Sequence, residues 1–340
     1  MLDSTGLGKG ATMWYSAKDW FFLFRPWSYM ATLVPFLVSA GVFSHAPAFR
    51  WGYWTAGLVV GLLFQATVNL LNTWGDERSG VDDVPGAICT TPQIHDGRVS
   101  MRALLVIALT CAGLASVGGV ALCFYVSSSG RLSFNGTLLG IGVLGFLGAT
   151  NYSTGFKFKY RGLGVPFVSF LMGPLEILAA IALGVPEEVR ALLGAFLFPP
   201  VLLGYILYTV PIAALVGVVM HGNDMRDIPT DRAAGIVTLA SRLGPKRALA
   251  YYRFCHVLPY VVTCIWILLT SLFRYGCDNG VFTWAWLPLL AWPLSLRTIR
   301  VATRVYRENP ANPTWRRLER ASGSVLLVYG VLYAFSFALI

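Results

Sequence analysis

Apolar stretches separated by short polar connections run along almost the whole chain. A transmembrane helix needs about 20 mainly apolar residues, and nine stretches approach that length: 28–44, 52–72, 101–126, 134–152, 165–184, 192–220, 250–272, 281–296 and 323–340. Several are short or interrupted by proline. The pattern predicts an all-α integral membrane protein of about nine transmembrane helices. Ahead of the first stretch, Trp14 to Phe24 reads as an amphipathic approach lying in the interface. Arg25-Pro26 then opens the first span, with proline suited to a helix's first turn. That span is expected to be retained, since the aromatic run Trp20 to Phe24 precedes it and no clear small-residue cleavage site follows. The sixth stretch carries Pro199, Pro200 and Pro211 and is expected to kink.

Composition fits this pattern. Of 340 residues 56% are hydrophobic and only 12% charged, with mean hydropathy +0.63, more apolar surface than a soluble core requires. Nine crossings put 22 of the 26 Lys and Arg residues on one face, leaving Arg50, Arg131, Arg190 and Arg274 on the other. A bias of that size marks the basic face as cytoplasmic. The net charge of +10 therefore reads as orientation and as attraction to anionic headgroups or phosphates. Nucleic acid is not an expected partner, because the cations are spread over five short connections with no separate basic domain. Cys111, Cys123, Cys255 and Cys264 fall in apolar stretches and act as small hydrophobes. Cys89 is expected to be reduced, and no CxxC or His-Cys cluster supports zinc.

The chemistry is concentrated at two polar ends on the basic face. Asn72 and Asp76, with Asp82-Asp83 beyond, follow the second stretch. Asn223-Asp224-Met-Arg226-Asp227, with Asp231 beyond, follows the sixth. Asp227 and Asp231 are four residues apart, a spacing that places both on one side of a helix with Cβ atoms about 6 Å apart. They would repel unless a cation lay between them. Mg²⁺ uses few carboxylates plus substrate phosphate oxygens, a service two facing Asp clusters can give. One cluster alone reads as readily as solvated loop charge. Two, each beginning with Asn at the end of an apolar stretch, weigh against that, and their recurrence suggests two four-helix halves plus a C-terminal helix. Asn69 lies three residues before Asn72 on the same helix face, and a break is expected at Gly75. The connections 76–100 and 222–248 are expected as cytoplasmic caps on one membrane domain, 1–340. The first is longer than a helix hairpin needs, though Val84 to Asp96 reads equally as a floppy loop.

Three further features carry two readings each. Lys157, Lys159 and Arg161, interleaved with aromatics, are phosphate binders or positive-inside flanking charges. Glu176, in the fifth span, is a functional group by default or a protonated partner of a neighbouring helix. His221 stands beside the second cluster, where a satisfied hydrogen-bonding role outweighs a catalytic one. The arginines of 297–320 read as orientation.

In this order the residues resemble the UbiA superfamily of intramembrane prenyltransferases. Asn72, Asp76 and Asp82 match its first motif, N-D-x-x-D followed by a further Asp, and Asp227 with Asp231 match its second, D-x-x-x-D. Thr73 stands where many members have Asp. The menaquinone-forming 1,4-dihydroxy-2-naphthoate polyprenyltransferase branch also looks like N-T-x-x-D here. Further matches to it are Arg25-Pro26, Tyr152-x-x-Gly155 with Lys159-Tyr160, Leu163-Gly164, Gly173-Pro174, Asn223-x-x-Arg226 and Asp231-Arg232-x-x-Gly235-Ile-Val-Thr-Leu. The resemblance covers nearly the whole chain. It implies a central cavity, Mg²⁺ on Asp76, Asp82, Asp227 and Asp231, and catalysis by Asn72, Asp76, Asp227, Asp231 and Lys159. Substrate would be contacted by Arg25, Asn69, Tyr152, Lys157, Arg161, Asn223, Arg226 and Arg232. The reaction implied is transfer of a polyprenyl group from its diphosphate to a small aromatic acceptor, in a bacterial inner membrane and at its cytoplasmic face. Other acceptors in the superfamily, namely 4-hydroxybenzoate, haem, a chlorophyllide or a glycerol phosphate, are the alternative. A transporter is the reading from another class. Against it, the carboxylates gather on one face and, apart from Glu176, no ionisable path crosses the bilayer.

Overall fold

A computed structural model describes residues 16–43, 46, 49–80, 91–126, 130–186, 199–272, 284–308 and 315–339. Helix α1 (Ala17–Phe24) starts at Ser16, whose Oγ accepts from the Lys18 N–H at 3.2 Å, and stops at Arg25 in the left-handed region (φ 51). A 3₁₀ turn at Pro26–Ser28 leads into α2 (Met30–Phe43), bent 45° from the preceding segment.

Helix α3 (Trp51–Ser79) does not break at Gly75. That glycine is instead a contact point: a Cβ there would lie 3.0 Å from Ser153 Cβ and 3.1 Å from Ser153 O. The missing side chain lets the segment at Ser153 approach, so the helix carries Asp76 one turn beyond Asn72 before ending at Gly80. Asp82 lies outside the described residues, as does all of 81–90. The described end of that connection is α4 (Pro92–His95), tied to α1 by Arg98 Nη1 donating to Asp19 Oδ1 at 2.6 Å.

The third stretch gives α5 (Met101–Leu122) and then β1 (Phe124–Val126), which pairs with β2 (Leu132–Phe134), Phe124 opposite Phe134, as a small hairpin in an otherwise helical chain. Then follow α6 (Gly136–Asn151), α7 (Gly164–Phe170), a π-helical turn Leu171–Leu175, and α8 (Glu176–Gly184). Pro174 has no N–H to give, so the ladder shifts register within the turn. Helix α9 (Pro199–Arg226) runs through Pro211 as one helix, and α10 (Ile228–Ala233) follows it after Asp227. Helix α11 (Leu239–Leu272) is interrupted at Gly244 (φ 74), α12 covers Trp292–Glu308, and α13 covers Trp315–Ala338. The expected cap 222–248 is thus largely helical.

Among the described residues six helices are long and apolar enough to cross a membrane, or seven if the bent α1–α2 pair is one span. The expected nine is not met on that measure. Helix α6 has 16 residues and α12 carries four arginines, so both fall short for physical reasons of length and charge.

The helices form a ring. Helix α3 packs along α5 in the amino-terminal half and α9 along α11 in the other, and α13 closes the circle against α2 and α9. Val34, Val38, Ile177, Ile212, Leu215 and Leu326 fill the contact between α2, α8, α9 and α13. Several buried tyrosine hydroxyls are paired, as a medium without water favours. Tyr208 OH donates to Val38 O at 2.7 Å, and Tyr252 shares a 2.7 Å bond with Ser322.

Candidate active site

The first carboxylate is fixed by the helical period. Asn72 and Asp76, one turn apart on α3, face each other, and Asn72 Nδ2 donates to Asp76 Oδ2 at 3.0 Å. The connection after α6 supplies the rest. Its chain turns back through Lys157 (φ 54) into a 3₁₀ turn, Phe158–Tyr160, anchored by the Lys159 N–H on Tyr152 O at 3.0 Å. This directs Lys159 Nζ to both Asp76 oxygens, at 2.6 and 2.8 Å, and to Asn72 Oδ1 at 3.2 Å. Tyr160 OH donates to Asp76 Oδ1 at 2.7 Å, and Ser153 Oγ to Asn72 Oδ1 at 2.7 Å. Burial works against the Lys159 ammonium, but the Asp76 carboxylate beside it outweighs this and holds it well above the ordinary lysine range.

The second carboxylate pair sits where α9 ends. Asp227 precedes the first turn of α10 and Asp231 lies within that turn, its N–H donating to Asp227 O at 2.8 Å. The four-residue spacing is therefore realised on a helical turn, as expected. Arg226 grips Asp227 through Nε at 2.6 Å and Nη2 at 2.5 Å, a bidentate pair, while its Nη1 reaches Asn223 Oδ1 at 3.5 Å. Thr238 Oγ1 donates to Asp231 Oδ2 at 2.9 Å. A backbone bridge between Arg161 and Val237, and Arg242 Nη2 donating to Arg161 O at 3.1 Å, stitch the two connections together.

The two clusters share one electrostatic field. Burial, and then the Asp227 carboxylate, push Asp231 up to about 7. Lys159 and the Thr238 hydroxyl pull it back, and Asp76 adds to the push. Asp224, on α9, is also buried here (6% exposed). Crowding of carboxylates that raises one of them is relieved by a cation, and the donors are hard oxygens, the set that suits Mg²⁺. Among the described residues no three His, Cys, Asp or Glu side chains converge on one point. The site fits a metal as two partial shells of one or two carboxylates each, completed by a ligand's phosphate oxygens.

The remaining predicted residues are distributed unevenly. Tyr152 is buried beside Lys159. Asn69 spends its amide on Phe24 O at 2.8 Å and Ser28 Oγ at 2.9 Å, holding α3 to the turn after Arg25. Lys157, Arg161 and Arg232 are exposed, the last with Nη2 on Ser241 O at 3.2 Å. Of the three interleaved cations only Lys159 enters the cluster. His221 is fully buried with Nε2 3.0 Å from Ala248 O, a tie between α9 and α11. Ser153 was not named by sequence reasoning, and Tyr160, Thr238 and Asp224 were named only as members of a motif or cluster, with no role of their own. Each adjoins or lies within a motif that was singled out, and only that adjacency could have flagged them.

An apolar cavity of about 180 Å³ opens beside Tyr152 between α2, α3, α6 and α7–α8, lined by Phe36, Phe64, Ile141, Phe167, Met172 and Leu183. Its lining comes from residues 32–183, in the amino-terminal half. Thr32, Gln65 and Glu176 stand in its wall. Tyr152 is thus shared by an oily chamber and a charged cluster.

Three comparisons bear on this arrangement. The UbiA prenyltransferase family model matches residues 32–316. UbiA prenyltransferase domain-containing protein 1 of Homo sapiens is 28% identical over 323 residues, covering 93% of this chain and 82% of its own, and the Drosophila melanogaster homolog is 26% identical over 327 residues, covering 93% and 78%. A UbiA homolog from Archaeoglobus fulgidus bound to GPP and Mg²⁺ has the same fold, with TM-score 0.59 at 16% identity over 95% of this chain and 100% of that one. A digeranylgeranylglyceryl phosphate synthase aligns with TM-score 0.53 at 13% identity over 95% and 99%.

Proposed function

The chain belongs to the UbiA prenyltransferase family, and from that premise we propose that it transfers a polyprenyl group from its diphosphate to an aromatic acceptor, 1,4-dihydroxy-2-naphthoate, with Mg²⁺. The observation that carries the proposal is the placement of Tyr152. Tyr152 lines the apolar cavity and accepts from the Lys159 N–H, so it links that cavity to the Asp76–Lys159 assembly, with Asp227 and Asp231 in the same field. A diphosphate would lie among the carboxylates and Lys159, and its isoprenoid tail in the cavity. Bound Mg²⁺ would supply charge neutralisation to the diphosphate as the allylic C–O bond breaks.

This chain's own groups then have distinct tasks. Asp76 would hold one partial shell, kept in place by Asn72 and Tyr160. Asp227 and Asp231 would hold the other, with Arg226 orienting Asp227. Lys159 would carry part of the diphosphate charge, a role that strengthens as charge builds on the leaving group. The cavity wall would keep water from the carbocation, and the aromatic rings of Phe64, Phe167 and Tyr152 are among its lining. Asp82 is kept as a proposed further ligand on the strength of the motif. The naphthoate acceptor rests on the resemblance at Asn72-Thr73-x-x-Asp76 and on the ease with which an electron-rich bicyclic ring attacks a cation.

The setting proposed is the inner membrane of a bacterium, with the site on the cytoplasmic face. The 22 to 4 division of basic residues supports the facing. Cysteine labelling at 91–99 and 234–237 tests it, and periplasmic accessibility of either would overturn it. The reaction is tested with purified protein in liposomes given Mg²⁺ and a polyprenyl diphosphate. Mass spectrometry should find prenylated naphthoquinol with loss of carbon dioxide in preference to any 4-hydroxybenzoate product. Product from 4-hydroxybenzoate or a glycerol phosphate alone would move the chain to another acceptor. Absence of product from every acceptor would remove the enzyme reading.

A further inference from the structure

Helix α12 has two faces. Ser295, Thr298, Ala302 and Val305 are buried, whereas Arg297, Arg300, Arg304 and Arg307 are all exposed. Its neighbour α11 adds Arg253, also exposed, whose Nη2 donates to Thr303 Oγ1 at 2.9 Å and so is held against α12. Arg300, Thr303 and Arg307 follow one another at three- and four-residue steps and share a face. Arg253 therefore lies beside the Arg300–Arg307 row. From Leu239 to Arg307 the sequence contains one carboxylate, Asp278, and Glu308 follows at the end of α12.

The second observation is apolar. Val257 and Val261 continue the row of Arg253 at four-residue steps, and with Leu268, Leu289 and Trp292 they line a groove of about 550 Å³ between α11 and the start of α12. Orientation alone explains basic residues at a membrane face, but it gives no reason for them to stand in register at the end of an oily groove. We propose that this groove and the arginine row together bind an anionic phospholipid from the bilayer, with an acyl chain along Val257, Val261 and Leu289 and the phosphate on Arg253, Arg300 and Arg307. Guanidinium forks match phosphate oxygens bidentately, and an ordered Arg253 loses less freedom on binding. The site is separate from the carboxylate cluster and does not depend on the proposed reaction.

The test uses delipidated full-length protein in mild detergent. Native mass spectrometry would follow retention of phosphatidylglycerol, of phosphatidylcholine with the same acyl chains, and of glycerol phosphate as the headgroup alone. The expected result is a preference of about tenfold for the anionic lipid, with no retention of glycerol phosphate, and loss of that preference in the triple variant R253Q/R300Q/R307Q. Equal retention of both lipids, or a triple variant that keeps the preference, overturns the proposal. Retention of glycerol phosphate as strong as that of the lipid would make this a soluble-anion site and overturn it too. Should the triple variant fail to fold, two measurements stand in. High salt must erase the preference of the unaltered protein, and Val261→Trp, which fills the groove, must lower retention of both lipids. Failure of either overturns the lipid site.

Discussion

Asp76 accepts hydrogen bonds from Lys159, Asn72 and Tyr160, so its replacement tests chemistry and local order together. Asp76→Asn keeps the shape and removes the charge. It should lower turnover by ~10²–10³, the usual effect of losing one electrostatic stabiliser, with insertion and folding intact by size-exclusion chromatography. Near-normal turnover would end its assignment. Lys159→Ala should raise the KM for the diphosphate and lower kcat, while exposed Lys246→Ala changes neither. Equal, small effects would reduce Lys159 to a flanking charge. Lys159→Ala also leaves Asp76 half-buried without its cation, a loss of about 3–5 kcal/mol for a fully buried pair and less at this partly exposed one. Loss of melting temperature should therefore accompany it, and Lys159→Arg should restore stability better than turnover. The sequence made the carboxylates, Asn72 and Lys159 legible, because charge in an apolar chain is conspicuous. Ser153 and Tyr160 were not legible as partners. Their roles follow from a turn 81 and 84 residues away in the chain from Asn72 and Asp76, which local pattern does not encode.

Elements here are spaced by what is missing from them. Gly173, in the π-helical turn, faces α9 so closely that a Cβ would lie 2.8 Å from both the Cα and Cβ of Ala213. Backbone cannot step aside as a flexible side chain can. Gly173→Ala should therefore destabilise by about 1–3 kcal/mol, the usual result of overpacking. Gly113→Ala on α5, with nothing within 4 Å, should be neutral or slightly stabilising. Thermal unfolding in detergent compares them, and a Gly173→Ala protein as stable as the parent would refute the close approach. The same physics explains the misplaced break at Gly75. Glycine reads as a terminator in sequence, yet in a membrane helix it serves equally as an approach point for another segment, and only the location of Ser153 decides between the two. Span positions were readable because hydropathy has the helix's length scale. The hairpin β1–β2 and the shortness of α6 were not, since both depend on where the chain leaves the bilayer.

At the scale of the whole molecule, the two halves matter because each holds an incomplete site. Helix α3 and the connection after α6 contribute Asp76 and Lys159, and the end of α9 with α10 contributes Asp227 and Asp231. The clusters meet through the Arg161–Val237 bridge. Neither half gathers three metal-ligating side chains among the described residues. Cation and diphosphate should therefore bind as a unit, each supplying ligands or charge balance to the other. A ligand that binds only the folded state raises stability with the logarithm of its concentration over its dissociation constant. Mg²⁺ alone and a prenyl thiodiphosphate alone should accordingly give small increases in melting temperature, and together an increase larger than their sum. Asp76→Asn and Asp227→Asn, one in each half, should each abolish the excess, read against each variant's own baseline melting temperature, which falls because Lys159 or Arg226 loses its carboxylate partner. Simple additivity in the parent protein would mean that the halves hold separate sites. An excess that survives Asp227→Asn would mean that the metal is held by the amino-terminal half alone, and the second cluster would revert to the solvated charge that a single Asp motif suggests.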